Sequence, residues 1–171
     1  KFYYGLSTSS QAWLLSLQEP RSHQHLVICK DSKDVERALK DLSFFIGKVS
    51  QTIAFPAWDI LPFEYISPQS DILAQRISVL HKLLAGEQIT IVTSPEALLQ
   101  KVIPQRVLIN LTFSLTKGTL ISRSQIEEQL LSAGYRFVSL VEEIGDVTLR
   151  GNIIDIFCPL YPHPLRVEFV G

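Results

Sequence analysis

From Phe2 to about Ile103, short apolar runs alternate with longer amphipathic stretches. That alternation predicts βαβ units around a mainly parallel sheet, because each inner strand needs a helix to carry the chain back across a sheet face. The runs place strands at residues 2–6, 26–29, 53–55 and 89–92. Between the second and third, Val35, Ala38, Leu39, Leu42, Phe45 and Ile46 recur at helical spacing and predict a helix over 33–46, capped by Asp31 or Ser32. Ser67 followed by Pro68 reads as the start of another helix, striped by Leu73, Ile77, Leu80 and Leu84 and closed by Gly86. Ser94-Pro95-Glu96 repeats the start signal for a shorter helix ending near Pro104. The fold class is α/β, a RecA- or Rossmann-like sheet with flanking helices.

Beyond Pro104 the pattern changes. Ser122 and Gln125 stand at capping-box spacing and open a helix over 123–133, which Gly134 stops. Strand-like runs follow at 136–141, 147–150, 153–157 and 165–170, joined by Gly-Asp, Arg-Gly-Asn and proline-rich turns. Such close spacing predicts antiparallel pairing in a smaller α+β module. The boundary falls between Gln100 and Leu111, which gives domains over 1–105 and 106–171.

A chain of 171 residues, 46% hydrophobic and 19% charged, can bury one large core or two small ones and is not disordered. No apolar run approaches the roughly 20 residues that span a bilayer. With no methionine the chain carries no initiator, so it is expected to be a processed or excised piece. A net charge of -1 gives no overall attraction to nucleic acid, so a DNA role would need a local patch. Cys29 and Cys158 lack metal-ligand spacing and are expected to be buried free thiols of a reducing cytoplasm.

The turn after the first expected strand, Gly5-Leu6-Ser7-Thr8-Ser9-Ser10-Gln11-Ala12, sits where a phosphate-binding loop would sit. Such a loop needs a second glycine, a lysine for the phosphate charge and a hydroxyl for magnesium. Counted from Gly5, those places hold Ser10, Gln11 and Ala12, so ATP hydrolysis is not expected; an ordinary polar turn is the other reading. His23 and His25 are expected in a solvated loop, and Glu142, Glu143 and Asp146 at a hydrated hairpin tip. The segment 54–68 carries three prolines and four aromatics and is expected to pack over the sheet end or to line a groove. Arg150 and Arg166, on neighbouring expected strands beside Asp155, Phe157, Glu168 and Phe169, suit bidentate pairing with carboxylates at an interface.

The stretches FPAWDILPFEYISPQSDILAQRISVL, SAGYRFVSLVEEIGDVTLRGNIIDIFCP and PLRVEFVG resemble, in order and spacing, the amino-terminal region of the bacterial transcription-repair coupling factor (Mfd) family. The likeness is strong after Thr52 and weaker before it. That region looks in turn like the excinuclease subunit UvrB, whose true phosphate loop and tyrosine-rich DNA hairpin this sequence lacks. The resemblance implies a RecA-like domain without ATPase activity, followed by a module that binds the excinuclease subunit UvrA and recruits it to RNA polymerase stalled at DNA damage. By motif, Arg150, Arg166, Phe169 and Val170 match the family's UvrA-binding positions, with Val170 where a second aromatic is common.

The family's motor, its ATP and magnesium, and its contacts with RNA polymerase and DNA are implied to lie in parts absent here, and no cofactor is implied for this stretch. Family members continue past Gly171, so truncation of the second module is one expectation. The reading is a cytoplasmic, non-catalytic adaptor with UvrA as partner and no membrane role. Two rivals stay open: a UvrB-type DNA-dependent ATPase fragment, and a DNA-binding module using Lys101, Arg106, Lys117 and Arg123.

Overall fold

A computed structural model of the chain describes residues 3–17, 24–46, 51–60, 64–65 and 67–170. They form two compact units, Lys1–Lys101 and Val102–Gly171.

In the first unit, β1 (His25–Ile28), β2 (Gln51–Phe55) and β3 (Ile89–Thr93) make a parallel sheet in the order β1-β3-β2. β3 is buried at every position, as a central strand covered on both faces must be. Its side chains alternate between two cores. Val92 joins Val27, Cys29 and Ala54 beneath α1 (Thr8–Ser16) and α2 (Ser32–Ile46), with Ala12, Val35 and Leu42. Ile89 and Ile91 join Ile53 and Phe55 beneath α3 (Ser70–Leu84) and α4 (Pro95–Leu99), with Val79 and Ala97. Each fully buried aliphatic contributes roughly 1.5–3 kcal/mol, so the two layers rather than local propensity hold the unit.

The helix signals are mostly local. Asp31 accepts the Asp34 N–H at 2.9 Å and caps α2. Ser94 accepts the Ala97 N–H at the start of α4, which ends at Leu99 rather than near Pro104. Gly86, at φ 71°, closes α3: its N–H bonds the Leu83 carbonyl, and the Glu87 N–H bonds that of Lys82.

Several expectations are corrected. Residues 3–6 form no strand, and Phe2 lies outside the described residues. α3 starts at Ser70, two residues past Pro68, and the Gln69 N–H is taken by Asp59 at 3.3 Å, so Ser67 is not its cap. Its buried face is Ala74, Arg76 and Val79, while Leu73 and Leu84 are exposed. His25 opens β1 instead of lying in a loop; His23 lies outside the described residues. Cys29 and Cys158 are free but only half-buried.

The second unit opens with α5 (Gln105–Leu111), a helix the sequence reading did not contain. α6 (Arg123–Ser132) begins at the expected capping box: Ser122 Oγ accepts the Gln125 N–H, and Gln125 Oε1 accepts the Ser122 N–H at 2.9 Å. Four strands follow in the order β4-β5-β6-β7: β4 (Arg136–Phe137), β5 (Asp146–Arg150), β6 (Ile153–Ile156) and β7 (Leu165–Glu168). β5, β6 and β7 pair antiparallel as expected, but β4 runs parallel to β5, so the sheet is mixed. The β5–β6 hairpin turns on Gly151-Asn152, with Gly151 at φ 55° supplying the left-handed position that a two-residue loop requires. Val147, Ile154 and Ile156 pack with Ile126 and Leu130 of α6 in the core.

Candidate interaction surface

Because successive strand side chains point to opposite faces, burying Val147, Leu149, Ile154, Ile156 and Val167 turns the intervening residues outward. Register then decides which of them meet. Asp155 of β6 stands between Thr148 of β5 and Arg166 of β7, while Ile153 stands between Arg150 and Glu168. Arg150 and Arg166 therefore share the outward face. They are not on neighbouring strands, since β6 lies between them.

Asp155 links the two. Arg166 donates from Nε to Oδ1 at 2.7 Å and from Nη2 to Oδ2 at 2.9 Å. The Arg166 side chain is 60% exposed and that of Asp155 only 18%, so the acid sits inside and the cation out. The Arg166 hydrogen bond holds the Asp155 carboxyl below its ordinary pKa, and the charges of Arg166 and Arg150 add to this. Arg166 is raised in return. Arg150 donates from Nη2 to the Ser139 carbonyl.

Phe169 packs into the core of the second unit, and its N–H bonds the Asn152 carbonyl at 2.9 Å. Val170, by contrast, is 94% exposed. The four expected partner-binding residues thus split into two outward arginines, one core aromatic and one solvent-facing valine past the end of β7.

The expected phosphate-loop positions lie at the start of α1. Gly5 is at φ 72°, and Ser7 caps the helix by accepting the Ser10 N–H while its hydroxyl meets that of Ser10 at 2.8 Å. Gln11 donates its side-chain amide to the Leu6 carbonyl at 3.1 Å, and Ala12 is buried in the core.

The acidic trio is not a hairpin tip, because it precedes the parallel pairing of β4 with β5. Asp146 is buried, accepts the N–H groups of Glu142 and Glu143, and pairs with Arg136 at 2.8 Å. Burial alone would raise its pKa, but those N–H groups and Arg136 outweigh it and hold the carboxyl low. Of the basic residues expected around the domain junction, Lys101, Arg106 and Lys117 are exposed. Arg123 is tied to Glu127 at 2.6 Å and to the Gly151 carbonyl.

One buried cation escaped the sequence reading. Arg76 is 2% exposed, with its guanidinium carbon 4.2 Å from the Phe55 ring centre and 4.4 Å from that of Trp58. It donates to the Pro56 carbonyl at 2.6 Å. Phe55, Pro56 and Trp58 of the aromatic-proline segment therefore pack internally, while Tyr65 is fully exposed; residues 61–63 and 66 lie outside the described residues. Three prolines beside aromatics and a helical arginine are the signal that could have found it. Among the described residues no group of three His, Cys, Asp or Glu could hold a metal, and no helix is long and apolar enough to cross a membrane.

Residues 113–171, which contain the whole outward arginine face, match the family described as the UvrB interaction domain. That match falls wholly within the second unit. Along most of its length the chain is also similar to transcription-repair-coupling factors, which bears out the resemblance read from the motifs. It is 32% identical over 150 residues to that of Myxococcus xanthus, covering 84% of this chain and 12% of the relative. It is 31% identical over 144 residues to that of Escherichia coli (strain K12), with the same coverage. For Staphylococcus aureus (strain MRSA252) the figures are 28% over 165 residues, 96% of this chain and 14% of the relative. The chain thus spans 12–14% of the length of these relatives. The matched family is an interaction domain by description, and the matched residues include Arg150 and Arg166 on the outward sheet face.

Proposed function

We propose that this chain is the UvrA-binding, non-catalytic part of a transcription-repair coupling factor, bringing UvrA in the cytoplasm to RNA polymerase stalled at DNA damage. The observation that carries the reading is the UvrB interaction domain over 113–171, whose outward face presents two arginines already held in place. Planar guanidinium groups suit bidentate recognition of a partner's carboxylates. Phe169 supports the face from the core side, and Val170 supplies an exposed apolar contact at its edge. Contacts with RNA polymerase and DNA belong, in this proposal, to other parts of the longer protein, as do ATP and magnesium.

Residues 5–12 do not fit a nucleoside triphosphate. The Ser7 hydroxyl already serves the first turn of α1, the Gln11 amide is bonded to the chain, and Ala12 offers no metal ligand. Nothing in that turn replaces the missing lysine.

The test is a titration against purified UvrA. Reversing both charges, Arg150→Glu with Arg166→Glu, is expected to weaken binding at least about tenfold, since like charges set against a complementary surface cost several kcal/mol. Circular dichroism should show the fold retained. Undiminished binding by the double variant would remove the site assignment, and stoichiometric magnesium-ATP binding would contradict the non-catalytic reading.

A further inference from the structure

We infer that Asp155 is a positioning residue for this surface: it grips Arg166 by the Nε/Nη2 edge and so aims the Nη1/Nη2 end outward at a carboxylate of the partner. The inference rests on the UvrA-binding reading and assigns a role to a residue that does not itself reach the partner.

A guanidinium has a side edge, made by Nε and one terminal nitrogen, and an end edge made by the two terminal nitrogens. Asp155 takes the side edge with two short bonds. Among the described residues nothing is recorded against Nη1, and the side chain is 60% exposed. The end edge is therefore open and its direction is fixed. Arg150 is anchored by a backbone carbonyl, that of Ser139, which no substitution can remove. Asp155 is thus the side-chain anchor of the pair. Its backbone neighbours Ile154 and Ile156 face the opposite, buried side, so an isosteric change at 155 leaves the core untouched.

Asp155 has two opposed effects on a partner bearing carboxylates. Its charge lies between the arginines and subtracts from long-range attraction, while its grip removes the rotamer freedom that Arg166 would otherwise lose on binding. Orientation governs dissociation and net charge governs encounter, so the two effects separate in the kinetics.

The experiment measures association and dissociation of the whole chain with immobilised UvrA for wild type, Asp155→Asn, Arg166→Ala and their combination, with Tm recorded for each. Expected for Asp155→Asn is dissociation about fivefold faster, association no slower, and a Tm lowered only slightly, as loss of one exposed ion pair lowers it. In the Arg166→Ala background the same change should have no further effect on dissociation, because the grip of Asp155 acts through Arg166. Arg166→Lys keeps the charge but cannot make the two-point contact with Asp155, and should dissociate as fast as Arg166→Ala. Wild-type dissociation by Asp155→Asn, or an equal loss with and without Arg166, would overturn the inference. If Asp155→Asn lowers Tm markedly, Arg166→Lys decides, and wild-type binding by it overturns the inference. Loss of binding in Arg166→Ala but not Asp155→Asn sinks only this proposal. Failure of the wild-type chain to bind UvrA, or indifference to Arg166→Ala, sinks the surface reading and the inference with it.

Discussion

Replacing Arg76 with alanine should destabilise the first unit by about 3 kcal/mol. The guanidinium is sealed between Phe55 and Trp58, and its bond to the Pro56 carbonyl is charge-assisted. A hydrogen bond of that kind contributes roughly 1.5–3 kcal/mol, and each desolvated cation–π contact contributes about 1 kcal/mol. Truncating so large a buried side chain also leaves a void costing about 2 kcal/mol. Against these stands burial of the charge, which lowers the Arg76 pKa and leaves Nη2 without a partner. Relief of that burial returns about 2–3 kcal/mol. Both tryptophans, Trp13 and Trp58, belong to Lys1–Lys101, so tryptophan fluorescence during urea unfolding reports the first unit alone. With a urea slope of roughly 1.5 kcal/mol per M, the midpoint should fall by about 2 M. A shift under about 0.5 M would show that the stacked arginine does not hold the aromatic-proline segment in place.

Ser122→Ala should cost the second unit about 1 kcal/mol by removing one half of the α6 capping box. Urea unfolding followed by far-ultraviolet circular dichroism, with the tryptophan signal unchanged, would check it. In acid the second unit should fail as its held carboxylates protonate. Asp146 and Asp155 have folded pKa values below their ordinary ones, so their contribution is complete above the unfolded value of about 3.9 and is lost as pH falls through the folded values. A circular-dichroism titration from pH 7 to 2 should show stability dropping below about pH 4, with a shallower drop in Asp146→Asn.

The parts legible in the sequence are those whose cause lies within a few residues. β3 announces itself as an apolar run, α6 through Ser122 and Gln125, and the ends of α3 and α6 through Gly86 and Gly134. What escaped depends on distant partners. The parallel pairing of β4 hangs on two register positions in β5, which no periodicity encodes. Of the stripe along α3, Leu80 packs on the core but Leu73 and Leu84 do not, because Arg76 takes a core position and arginine is by default an exposed residue. Arg150 and Arg166 are legible as a suitable pair, yet the carboxylate that holds Arg166 emerges only from the register of β6 with β7.

Ala12 makes the condition of the first turn hard to reverse. A threonine placed there would put a branched hydroxyl into the cluster that Ala12 shares with Val35, Leu42, Ile46 and Val92, so helix α2 and strand β3 would have to change alongside it. Packing at residue 12 thus resists a hydroxyl whatever side chain stands at position 11.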